Sequence, residues 1–218
     1  FLQRILARDL SRHVVSPRRF SRELRPKYLP WSKVLEFLAD IDRTSLIGKR
    51  DYAILALLTG HGLRNHDVGS LLLSDVDWQA SSLLLRERKG GYTQTIPASR
   101  HVLDALQEYL AVRPAVDHPH IFLTVAAPIR PLGDNVQAVV QHHLRRRFGD
   151  SLPHYGAHVL RHSFAKALLD QGAKMMDVRD LLGHHSLEST HVYTGIATND
   201  LGEVADNYAS FLVPAEAA

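Results

Sequence analysis

Apolar residues along this chain recur mostly every three or four positions and, in one stretch, every second position, so helices with one small region of strands are expected. Val34, Leu35, Leu38 and Ile41 follow Pro30-Trp31-Ser32 at helical spacing, with Ser32 the expected N-cap. Tyr52, Ile54, Leu55, Leu57 and Leu58 predict a longer helix over 49–58 that stops at Thr59-Gly60-His61-Gly62. A helical piece follows over 65–73, and others over 99–112, 134–148, 158–171 and 176–182. In the helix over 158–171, Leu160, Phe164, Ala167 and Leu168 make one stripe and Gly172 is the stop. Ser186 is the expected cap of a short helix carrying Tyr193. Residues 75–78, 82–86 and 92–97 are short and suited to strands, with Lys89-Gly90-Gly91 as a hairpin turn. The expected class is α+β, mainly α-helical, with a small antiparallel sheet.

With 218 residues, 45% of them hydrophobic, the chain can bury a substantial core. Proline and paired arginines break the apolar pattern near Ser16-Pro17-Arg18-Arg19. Residues 1–25 therefore read as the end of a preceding domain and a basic linker, 26–197 as the main domain, and 198–218 as an acidic, partly apolar tail. The absence of cysteine excludes disulfides and thiolate metal sites and fits a cytoplasmic setting. The apolar runs are too short to span a bilayer. Net charge is only +3, yet residues 1–50 hold 12 Lys and Arg against 5 Asp and Glu, an uneven distribution that suits a polyanionic partner and equally a solvated, arginine-rich helix.

The candidate chemistry is scattered. Arg64 follows a glycine-flanked turn, where an arginine fork could pair with two phosphate oxygens; the plainer reading is a structural pairing with Asp67. Lys89 stands in the hairpin turn, where a solvated lysine is the default. His158 and Arg161 are three residues apart at a helix start, on one face and beside N–H groups that favour anions. His184 follows a glycine helix stop, where histidines often cap carbonyls, and Tyr193 lies nine residues further on. No one of these residues decides a function.

Their order and spacing do. Arg64 within Thr59-Gly60-His61-Gly62-Leu63-Arg64, Lys89 in a hairpin leading to Ile96-Pro97, His158-x-x-Arg161 continuing as His162-Ser163-Phe164-Ala165, and Leu182-Gly183-His184 leading to Val192-Tyr193-Thr194 follow one another as in a known family. Over residues 26–194 the chain resembles the catalytic domain of the tyrosine recombinases, the phage-integrase and Xer-type site-specific recombinases. The resemblance implies that family's helical fold and metal-independent cleavage and rejoining of double-stranded DNA through a 3′-phosphotyrosine link, with no cofactor. It implies that Arg64 and Arg161 hold the scissile phosphate, Tyr193 attacks it and His158 serves as acid or base. Lys89 would protonate the departing 5′-oxygen, His184 would bond a phosphate oxygen, and Asp67 would orient Arg64. Arg18, Arg19, Arg145, Arg146 and Arg147 are further candidates for contact with DNA. The family assembles as tetramers on DNA, so a monomer is expected without it, and the tail could dock on a neighbouring subunit. One departure is Asn65-His66, where the family often has a hydrophobic residue and serine. A second is the family's amino-terminal core-binding domain, expected to be absent here or reduced to its last helix in residues 1–15.

Two other readings differ in class. Fourteen histidines, with His158 and His162 four apart, raise a zinc hydrolase, but there is no His-Glu-x-x-His motif and Arg161 would repel the metal. The other is a module of the same fold that grips DNA without cutting it.

Overall fold

The computed structural model describes residues 28–88, 91–152 and 154–182. Helix α1, Trp31–Ala39, begins one residue before the expected cap. Pro30 supplies the extended N-cap backbone (φ −52°, ψ 141°) and its carbonyl takes the N–H of Lys33, so Ser32 falls inside the first turn and is not the cap. Helix α2, Leu46–Gly60, is capped by Ser45, whose hydroxyl accepts from the Gly48 N–H at 3.0 Å. Every residue from Asp51 to Gly60 is buried, the behaviour of a helix that is apolar all round and runs through a core.

Helix α3, Asn65–Gly69, is shorter than its apolar pattern suggests. The following backbone is used elsewhere: the Leu71 carbonyl accepts from Ile121 N–H and the Leu73 N–H donates to the Pro119 carbonyl. Strands β1 (Val76–Asp77), β2 (Ser82–Arg88) and β3 (Tyr92–Pro97) form an antiparallel meander in that order, with Leu83 opposite Ile96 and both facing the core. Helix α4, Arg100–Leu110, lays Val102, Ala105, Leu106 and Tyr109 against α2. Tyr109 stacks on Phe122 with ring centroids 5.6 Å apart.

Helix α5, Val136–Phe148, buries Val136, Val140 and Leu144. Helix α6, Ala157–Asp170, packs on α1 and α2, and α7, Met175–Leu181, packs back on α6. The main core surrounds α2; a smaller one joins Phe164, Leu168, Val178 and Leu182, with Trp31 of α1 against Phe164. Ser163 ties the first described segment to α6: its hydroxyl accepts from the Leu29 N–H at 2.8 Å and donates to the Val159 carbonyl at 2.8 Å. The mainly helical α+β class and the three-stranded antiparallel sheet agree with the sequence pattern.

Candidate active site

Arg64 occupies the N-cap of α3 with an extended backbone (φ −85°, ψ 156°). Its N–H donates to Asp67 Oδ2 at 3.2 Å, one half of a capping box. The other half cannot form, since an arginine side chain has no acceptor. Asp67 is buried, and this bond fixes the backbone from which the Arg64 side chain departs. The Arg64 side chain is half-buried, with Nη1 shut off from solvent.

Arg161, on the second turn of α6, is 4% exposed. Its Nη1 donates to the Gly62 carbonyl and its Nη2 to the Leu182 carbonyl, both at 2.6 Å. One guanidinium thus joins the glycine turn before Arg64, the helix bearing His158, and the segment leading to His184. The approach depends on Gly62. Its φ of +59° is a conformation that L side chains rarely adopt, and a Cβ there would lie 2.6 Å from Leu182 Cδ2 and 2.7 Å from Phe164 Cδ1.

His158 and Arg161, expected on one face, have different surroundings: His158 is exposed while Arg161 turns inward. His158 opens onto a groove of about 460 Å³ between α5 and α6, lined also by Gln137, Gln141, Arg145, His154, Tyr155 and His162. The groove lining has no carboxylate, so its field favours an anion. The basic run of α5 divides. Arg145 lies over the Tyr155 ring at 5.5 Å and lines the groove, whereas Arg147 is ion-paired to Glu36 of α1 and to Asp40 just beyond that helix. Arg146 is exposed, and its charge is one of the influences holding the Asp42 carboxyl low, after the bonds from Thr44.

Two residues that sequence reasoning did not select stand beside this site. His61 is 4% exposed, accepts the Ser99 N–H on Nε2 at 3.3 Å, and is pushed down to about 4 by burial, so it is a neutral acceptor. Gln137 bridges the starts of α3 and α6. Its Oε1 accepts from Asn65 Nδ2 and, at 3.5 Å, from the Ala157 N–H; its Nε2 donates to the Tyr155 carbonyl at 3.3 Å. Sequence offers no signal for either role, since both rest on contacts between distant segments.

Lys89, His184, Tyr193, Arg18 and Arg19 lie outside the described residues, as do residues 1–25 and the tail from 198. Strands β2 and β3 flank Lys89 with Arg88 opposite Tyr92. Among the described residues no three His, Cys, Asp or Glu are grouped to hold a metal ion, and the rings of His158 and His162 are 6.4 Å apart. No described helix is long and apolar enough to cross a membrane.

Residues 28–200 match the model of the phage integrase family. The chain is 37% identical over 165 residues to a tyrosine recombinase named XerC from Nitrobacter winogradskyi, a match covering 75% of this chain and 51% of that protein. A crystal structure of XerA recombinase superposes with a TM-score of 0.62 at 25% identity, covering 87% of this chain and 66% of the other. A structure of XerH site-specific recombinase bound to difH substrate shares the fold, with a TM-score of 0.61 at 22% identity over 80% of this chain and 52% of that one. The chain spans about half the length of several of the curated relatives it matches. With the family model covering most of its length and four motif segments standing in the family's order, this chain belongs to the phage integrase family of tyrosine recombinases.

Proposed function

We infer that this chain carries the catalytic part of an enzyme that cuts and rejoins double-stranded DNA through a covalent 3′-phosphotyrosine. The observation that carries the reading is the Arg161 guanidinium, bonded at once to Gly62 and Leu182, on the same helix whose exposed His158 lines an anion-favouring groove. The structural relative XerH, which is bound to its difH substrate, supports DNA as partner.

In this reading Arg64 and Arg161 neutralise the non-bridging oxygens as charge builds at phosphorus, work that other enzymes give to metal ions. The Tyr193 phenol loses its proton toward His158, its oxygen attacks phosphorus, and the bond from phosphorus to the 5′-oxygen breaks. Lys89 gives that oxygen a proton, and His184 hydrogen-bonds a phosphate oxygen. The reverse sequence reseals the strand without ATP, because the phosphotyrosine conserves the energy of the broken ester. A tyrosine normally titrates near pH 10, so nearby positive charge and a base are what make it a competent nucleophile. Asp67 fixes the backbone of Arg64, Arg145 and Arg146 contact flanking phosphates together with Arg18 and Arg19, and the active assembly on DNA is a tetramer built through the tail.

The test is incubation with a pool of nicked duplexes of randomised sequence in EDTA, followed by denaturing recovery of protein-linked DNA. A 3′-linked adduct that disappears in Tyr193→Phe, with DNA binding retained, supports the reading. A reversible shift with no adduct from the unaltered protein overturns it in favour of a binding module, and turnover that requires added metal overturns it in favour of a hydrolase.

A further inference from the structure

We propose that Gln137 is a positioning residue: through Asn65 it sets the turn bearing Arg64 against the helix start bearing His158, and so tunes cleavage of bound DNA. This rests on the function proposed above and assigns a role to a side chain that it leaves unused. Asn65 directly follows Arg64 in the chain, and it is the residue that Gln137 grips.

The polarity of the bridge is dictated by its far end. The Tyr155 carbonyl can only accept and the Ala157 N–H can only donate, so the amide of Gln137 must offer Nε2 to the first and Oε1 to the second. Oε1 then faces Asn65, which must present Nδ2, leaving Asn65 Oδ1 buried without a partner. Retaining an unsatisfied buried acceptor costs stability, so the pair is not explained by stability alone. Gly156 makes room for the amide: a Cβ at that position would lie 2.5 Å from Gln137 Nε2. One planar amide thus spans from the residue after Arg64 to the residue before His158, and it sits on the wall of the groove that His158 lines.

If these ties are cut, both elements still fold on their own cores, but the separation between the Arg64 turn and the His158 helix start is no longer fixed. A displacement of about 1 Å between groups that share one transition state lowers rate by up to about 100-fold while leaving affinity nearly unchanged. Gln137→Ala removes the bridge, Gln137→Met removes its hydrogen bonds at similar volume, and Gly156→Ala displaces the amide without altering Gln137.

The experiment measures single-turnover cleavage and equilibrium binding on one nicked duplex recovered from the randomised pool. A matched duplex carries a neutral methylphosphonate at the scissile position, where an arginine has less charge to neutralise. The expected result is a loss of about 10- to 100-fold in cleavage of saturated DNA for Gln137→Met and Gly156→Ala, with affinity within about threefold and a much smaller loss on the methylphosphonate. Equal losses on both duplexes mean a merely structural residue and overturn the proposal, as does a wild-type rate on the normal duplex. No adduct from the unaltered protein overturns the parent function, and the positioning role with it.

Discussion

Arg161 Nη1 and the Gly62 carbonyl, 99 residues apart in sequence, meet in a hydrogen bond of 2.6 Å. With the partner bond to Leu182, it makes Arg161 a structural tie as well as a candidate phosphate ligand. Arg161→Ala leaves two carbonyls without this donor in a buried site, and the expected loss is about 2–5 kcal/mol of unfolding free energy, read by urea denaturation. Arg161→Lys keeps the charge but cannot reach both carbonyls as a fork does; it is expected to recover part of the stability and little cleavage.

Gly62→Ala tests the same junction from the other side. A positive φ and contacts under 3.0 Å to Leu182 and Phe164 act together, and about 2 kcal/mol of destabilisation is expected from thermal or urea unfolding.

His61 gives the fold an acid sensitivity. Its folded value of about 4 lies below the ordinary 6.5, so between those values the unfolded chain binds the extra proton. The contribution to stability is therefore intact above pH 6.5 and falls as pH drops toward 4, by about 3 kcal/mol in all. His61→Gln keeps an acceptor for Ser99 N–H, and its stability measured from pH 7 to 4.5 should show a shallower fall.

Asp51 is 4% exposed and holds Arg50 at 2.9 Å and His143 at 2.9 Å, while Arg50 also donates to the Leu123 carbonyl. Asp51→Ala strands a buried guanidinium, with an expected cost of about 3–5 kcal/mol. Replacing Arg50 and Asp51 together by apolar residues should cost less than Asp51→Ala alone, as a denaturation comparison of the two variants will show.

Arg145 and Arg147 are neighbours on α5 with different engagements. Removing Arg145, which faces the groove, is expected to weaken DNA binding and reduce the slope of log affinity against log salt by about one. Arg147→Ala, already occupied by Glu36 and Asp40, should change that slope much less.

The helical and strand periods, the glycine stops and the motif order were legible because each is local or is a matter of residue types in sequence. Ser32 failed as a cap because a side chain caps only from an extended backbone, and Pro30 already provides it. The helix expected to reach residue 73 ends at Gly69 because Leu71 and Leu73 exchange bonds with residues 119–121, a partnership that no local pattern announces. The same distance in sequence hides the site's supports. The inward turn of Arg161, the Gln137 bridge and the division between Arg145 and Arg147 all depend on which segment arrives opposite, whereas the spacing of His158 and Arg161 shows only that they share a helix.

The Ser163 hydroxyl has a mechanical consequence. By receiving the Leu29 N–H two residues beyond Arg161, it couples the strand of chain that precedes α1 to the helix carrying the arginine fork. A pull on the backbone at Leu29 is delivered through that one hydrogen bond to the helix that grips Gly62 and Leu182.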